Sequence, residues 1–146
     1  MNYEIRKLKK SDVSLDSEFF PILNQLSEIV DWHKLELGRL WDAYENDKGM
    51  QVLVTEKYGK IIGTGAVFIE QKFLRGGGKV GHIEDVVVDN RSREKGMGKA
   101  IVNSLVEIAK EEGCYKVILN CSNENVPFYI KCGFKLTENE MRMDLR

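Results

Sequence analysis

The 146 residues predict an α/β (α+β) fold on a mixed central β-sheet, and three observations carry that prediction. Successive β-branched, alternating segments in the middle of the chain read as an antiparallel N-terminal meander. An apolar helix pattern then separates the last of these strands from a further short strand, which is a βαβ crossover. Finally, 42% hydrophobic and 31% charged residues suit one domain spanning residues 1–146. A chain of that length removes roughly two thirds of its unfolded surface from water and needs no disulfide or metal to hold its core.

Each element has its own signal. Tyr3 to Leu8 alternates as a first strand. Leu15, Phe19, Ile22, Leu23, Leu26 and Ile29 recur at helical spacing, with Asp16 or Ser17 as N-cap and Pro21 confined to the first turn. Leu37, Leu40, Trp41 and Tyr44 mark a second helix. Strands follow at Gln51 to Glu56 and Lys60 to Glu70, joined at Tyr58-Gly59, and Gly76-Gly77-Gly78 turns the chain into Lys79 to Val88. Met97, Ile101, Leu105 and Ile108 form a helix ending at Gly113, and Lys116 to Asn120 is the crossover strand. A helix near Asn123 to Cys132 stops at Gly133, and the tail sets Met141, Met143 and Leu145 on one face of a last strand.

Charge and cysteines narrow the function. A formal net charge of -1 argues against a nonspecific nucleic-acid binder. The stretch from Lys72 to Lys99 nevertheless carries a local surplus of cations. The three cysteines, Cys114, Cys121 and Cys132, form no C-x-x-C pair, and with His33 and His82 they show no metal-ligand spacing, so no metal is expected. The opening Met1-Asn2-Tyr3-Glu4 has no apolar signal segment and no run approaches a bilayer span, so a cytoplasmic location without membrane contact is expected.

Chemistry concentrates where Val86-Val87-Val88-Asp89 runs through Arg91 to Lys95 into Gly96-Met97-Gly98-Lys99 and an apolar helix. A helix start exposes unpaired N–H groups with a partial positive charge, and two glycines beside cations let an anion such as a pyrophosphate approach them. Taken alone, the glycines are equally consistent with a tight loop. The Walker pattern fails because Ala100 follows Gly98-Lys99. Gly76, Gly78 and Gly81 match G-x-G-x-x-G but precede a strand, so the dinucleotide reading fails too.

Arg93-Glu94-Lys95-Gly96-Met97-Gly98 resembles the R/Q-x-x-G-x-G/A signature of the GCN5-related N-acetyltransferase (GNAT) superfamily, with an Asn-x-x-x-Tyr helix downstream at Asn125 and Tyr129. A narrower resemblance rests on three blocks. They are Gly81-His82-Ile83-Glu84-Asp85-Val86-Val87-Val88, Gly113-Cys114-Tyr115-Lys116-Val117-Ile118-Leu119, and Asn125-Val126-Pro127-Phe128-Tyr129 through Lys131-Cys132-Gly133-Phe134. These are similar to the glucosamine-6-phosphate N-acetyltransferase family. That likeness implies the GNAT fold, with the βαβ part as the acetyl-CoA-binding core. It also implies acetylation of glucosamine 6-phosphate on the route to UDP-N-acetylglucosamine, by a homodimer without a metal.

The resemblance also implies roles. Acetyl-CoA would be held by Val86, Val87, Val88, Arg93, Glu94, Lys95, Gly96, Met97, Gly98, Lys99, Asn125, Phe128, Tyr129 and Lys131. A bulge near Val87 would turn backbone N–H groups toward the thioester, and Tyr129 would protonate the departing thiolate. From its surroundings alone, without the flanking motif, Tyr129 reads better as a core-edge tyrosine packing against Phe128 and Phe134. Glu84 and Asp85, adjacent in a strand and so on opposite faces, would contact the amino sugar, one of them orienting the amine. Lys72, Arg75, Tyr115 and Lys116 would line the sugar site and its phosphate. Two positions depart from the family: Asn120 stands where an aspartate is common, and Asp144 where a partner-subunit arginine is expected, with Arg142 or Arg146 as the substitute. Another small amine or a peptide is the alternative acceptor, and a non-catalytic acyl-CoA-binding module the alternative role.

Overall fold

The computed structural model describes residues 2–92 and 95–146. Its sheet has the spatial order β1-β2-β3-β4-β5. These strands are Glu4–Lys7, Met50–Lys57, Lys60–Gln71, Lys79–Val88 and Cys114–Ile118. The first four pair antiparallel, with the short helical turn α3, Leu74–Gly77, between β3 and β4; β4 and β5 pair parallel, joined by helix α4, Met97–Glu111. The meander, the crossover and the mixed sheet are therefore all present. The crossover strand starts and ends two residues earlier than its predicted span.

Because adjacent strand residues point to opposite faces, the sheet separates two cores. Val52, Val54 and Ala66 meet Phe19, Phe20 and Ile22 of α1, Phe19–Leu26, while Trp41 and Tyr44 of α2, Leu37–Asn46, pack around them. Leu53 and Val67 face the other way, against Met97, Ile101, Val102 and Leu105 of α4. Those four α4 side chains are completely buried, at spacings that place them on one helical stripe. Burying each contributes roughly 1.5–3 kcal/mol, so the crossover helix is fixed firmly against the sheet.

Three local details differ from the sequence reading. Helix α1 begins at Phe19 with Glu18 at the N-cap, and Ser17 acts one residue earlier, its Oγ accepting the Phe19 N–H at 3.1 Å. The helix expected near Asn123 to Cys132 splits into a 3₁₀ turn, Asn123–Asn125, and α5, Val126–Lys131, because Pro127 enters at the start of the α-helical turn. The last strand is absent: residues 135–146 contain neither strand nor helix. Met141, Met143 and Leu145 are 93%, 83% and 89% exposed. Their alternation suits a strand, but a strand needs a neighbour to receive its hydrogen bonds, and no described segment runs beside this one.

Candidate active site

The site begins with a break in β4. Its pairing with β3 runs Ala66↔Glu84 and then resumes at Thr64↔Val87, so two residues, Asp85 and Val86, stand against the one position of Gly65. Asp85 takes a left-handed φ of 54°, which a non-glycine residue adopts only under constraint. The bulge overturns the expectation of simple alternation here: Ile83 and Val86, three residues apart, both pack on the α4 side, whereas Val87 joins the α1 core. Pairing with β5 stops at His82↔Ile118, so β4 from residue 83 to 88 has no described strand on its β5 side. The two parallel strands thus part beside the bulge, and the β4 backbone beyond His82 has no described strand partner on that side.

The parted strands lead to the start of α4. Gly96 holds φ at 86° and provides no side-chain cap; the first backbone closure is the Ala100 N–H donating to the Gly96 carbonyl at 2.9 Å. Amides of the first turn therefore remain available to an anion, with the exposed Lys95 and Lys99 beside them. Gly98 has a second task. A Cβ there would lie 3.2 Å from the Phe128 ring, so its lack of a side chain lets α5 close over the start of α4. Arg93 and Glu94 lie outside the described residues.

That contact brings Tyr129 to the same region. Its ring packs edge-on against Phe128 at 4.9 Å and Phe134 at 6.0 Å, and it is half-buried. Burial pushes the phenol above its ordinary value, with charge on Cys121 and Cys132 acting in the same direction, so Tyr129 keeps its proton at neutral pH. Cys132 is also raised, by burial against the opposing pull of Lys99, and is a poor nucleophile in consequence. Asn125 is the N-cap residue of α5 and Lys131 its last residue, both exposed.

The predicted acceptor residues fall into two groups. Glu84 and Asp85 are exposed at the bulge. Lys72, Arg75, Tyr115 and Lys116 gather at the other end of β4: the Arg75 guanidinium lies 5.3 Å and the Lys116 ammonium 5.9 Å from the Tyr115 ring. Tyr115 can lie there because Gly78 has no side chain; a Cβ would be 2.7 Å from the ring. Lys72 is tied to Glu70 at 3.2 Å, and Glu70 also bonds His82 at 2.8 Å. Asn120 is exposed just past β5, and the exposed Arg142 pairs with Asp144 at 2.7 Å. Spacing alone gave no notice of the Glu70–His82 contact. It needs the hairpin register Phe68↔His82, which sets Glu70 two residues along the same face.

A helix start open to an anion, parted parallel strands and a half-buried phenol together define an acyl-transfer class of site. Residues 14–134 match the model of the acetyltransferase (GNAT) family, and the chain belongs to that family. It is 41% identical over 146 residues to the glucosamine 6-phosphate N-acetyltransferase of Trypanosoma brucei brucei, covering 99% of this chain and 97% of that one. It is 47% identical over 134 residues to the enzyme of the same name from Arabidopsis thaliana, covering 90% and 89%. The crystal structure of glucosamine-6-phosphate N-acetyltransferase from Arabidopsis thaliana superposes with a TM-score of 0.93 at 42% identity, over the whole of both chains.

Proposed function

We propose that this protein acetylates the amine of glucosamine 6-phosphate with acetyl-CoA, by direct attack within a ternary complex. The observation that carries the reading is the opening between β4 and β5 at the bulge, which leads from β4 backbone without a described β5 partner to the uncapped start of α4. A coenzyme lying in that opening would set its diphosphate on the helix amides and its thioester beside Val86 and Val87. The names of the relatives above support the acceptor.

In this reading the neutral amine attacks the thioester carbonyl carbon. The new N–C bond pushes charge onto the carbonyl oxygen, which the bulge amides receive. Collapse breaks the C–S bond, and Tyr129 donates its proton to the departing sulfur. The proton lost from the amine nitrogen returns to the phenolate through water, so the enzyme ends as it began. Glu84 or Asp85 orients the amine, and Lys72, Arg75, Tyr115 and Lys116 receive the sugar phosphate. Asn120 is neutral and only orients. No step needs a metal.

The same reading makes the protein a homodimer. Beyond β5 lies a cavity of about 630 Å³ whose lining includes Ile118, Val126, Ile130, Phe134 and Leu136. Its apolar wall and the bare apolar face of residues 141, 143 and 145 are complementary, and a neighbouring copy could supply the strand that completes the edge. Arg142 would then serve the partner's acceptor site. Thiol release measured with glucosamine 6-phosphate and with unphosphorylated glucosamine tests the proposal: a kcat/KM far higher for the phosphorylated sugar than for the plain one is expected. Strong turnover of a different amine or a peptide would move the acceptor assignment, as the departure at Asn120 invites. Tight acetyl-CoA binding without turnover of any amine would make the chain a binding module.

A further inference from the structure

His82 and Glu70 do not figure in the chemistry above, yet they are joined to it. The His82 Nε2 lies 2.8 Å from Glu70 Oε1, and the Lys72 ammonium 3.2 Å from Glu70 Oε2, so one carboxylate clips a strand histidine to the lysine that opens the 72–78 loop. The ring is further held by Phe68, 5.9 Å away. Hydrogen bonds from His82 and then Lys72 keep the Glu70 carboxyl below its usual range, so it remains an anion that holds both the His82 ring and the Lys72 ammonium. His82 is half-exposed and shares a face of β4 with Glu84, two residues along. On β5, Lys116 pairs with Val80 and so lies on that face too. Among the described residues, strand register sets Glu70, Glu84 and Lys116 on the face of His82, with Lys72 bonded to Glu70; helix α1, which packs on β4, has no charged residue between Phe19 and Leu26.

We infer that His82 is a specificity-determining residue of this site: clipped by Glu70 beside Lys72, it bonds the phosphate of the acceptor and so separates phosphorylated from plain amino sugars. The inference rests on the acceptor reading above. Glu70 engages Nε2 and leaves Nδ1 as the ring nitrogen a phosphate oxygen would meet. A charge-assisted bond of this kind is worth about a factor of ten in binding.

Histidine ring NMR tests it directly, because the chain has two histidines and His33, stacked on Trp32, is an internal reference. Glucose 6-phosphate has no amine and is not acetylated. At one fixed pH it is expected to move the His82 ring resonances and leave those of His33 in place, whereas glucose moves neither. In parallel, His82→Gln should raise the KM for glucosamine 6-phosphate about tenfold, with kcat, the acetyl-CoA KM and the KM for unphosphorylated glucosamine unchanged. Equal losses on both acceptors, or His82 ring resonances indifferent to the phosphorylated sugar, would overturn the inference while the wild type still acetylates glucosamine 6-phosphate. A wild type that acetylates some other amine and not this one would instead overturn the acceptor reading.

Discussion

The two edges of the sheet are finished in different ways. At one edge, β1 is four residues long, and its Arg6 is held in a bidentate pair with Asp12 at 2.8 and 2.9 Å and to Glu56 on β2 at 3.2 Å. A short strand carrying a nearly buried ion pair offers little for another strand to extend. At the other edge, β5 borders an apolar cavity, and the arm that follows carries its methionines and leucine into solvent. The contrast teaches that the β1 edge is closed by its own chain, while the edge bearing the proposed chemistry is open and apolar, as an edge awaiting another strand should be.

The strongest way to break that comparison is to remove the arm. Deleting residues 139–146 should leave the protein monomeric in sedimentation and cut glucosamine 6-phosphate turnover by about a thousandfold, because a displaced acceptor loses its alignment. Acetyl-CoA binding should persist. A dimer that survives the deletion would show that the open edge is not where copies meet. Next in size is Tyr129→Phe, which removes the proton but keeps the ring that packs on Phe128 and Phe134. Steady-state kinetics should show kcat lower by about a hundredfold with the acetyl-CoA KM unchanged. An unaltered kcat would reduce Tyr129 to a core-edge tyrosine.

The sequence already contained most of the closed side. Alternation at residues 51–56 and 60–70 found β2 and β3, and the stripe of Met97, Ile101 and Leu105 found α4, because burial imposes its period on a chain wherever one face is covered by the same chain. The open side was legible in part. The Arg93 to Gly98 signature pointed to a phosphate cradle, yet the bulge at Asp85 was visible only through resemblance, since nothing in Glu84-Asp85-Val86 marks a lost partner. The tail misled for the same reason: Met141, Met143 and Leu145 have strand periodicity, but periodicity records the face to be covered and not which chain covers it. Contacts made across the fold, such as Gly98 against Phe128 or Glu70 against His82, depend on register and have no local sequence signal.

At the closed edge, Asp12→Asn should cost about 2 kcal/mol, the worth of hydrogen bonds to a charged group, with Glu56 left to hold Arg6. Burial alone would raise the Asp12 pKa, but the bonds from Arg6 and from the Lys9 N–H outweigh it and the net shift is downward. A carboxyl lowered on folding gives stability that is complete above its unfolded pKa of about 4 and is lost as pH falls through the lower folded value. Urea unfolding of the wild type should therefore weaken below about pH 4, and the variant should lose less over the same range. Activity at pH 7 should not change, since nothing at this edge touches the proposed site. A variant as acid-sensitive as the wild type would mean that the pair contributes nothing.

The smallest effect separates two glycines that meet no atom. A Cβ at Gly38 in α2 or at Gly96 before α4 has nothing within 4 Å, so packing cannot distinguish the two substitutions. Backbone conformation can. Gly38 lies within a right-handed helix, where alanine lowers the entropy of the unfolded chain and should stabilise by about 0.5–1 kcal/mol. Gly96 sits at φ 86°, where alanine costs roughly 1–2 kcal/mol, and relief of that strain would turn the first amides of α4 away from their anion. Gly96→Ala should thus raise the acetyl-CoA dissociation constant about fivefold by calorimetry, while Gly38→Ala leaves it alone. Equal affinities in the two variants would mean that the left-handed turn does not shape the diphosphate site, and the amides of α4 would lose their place in the reading.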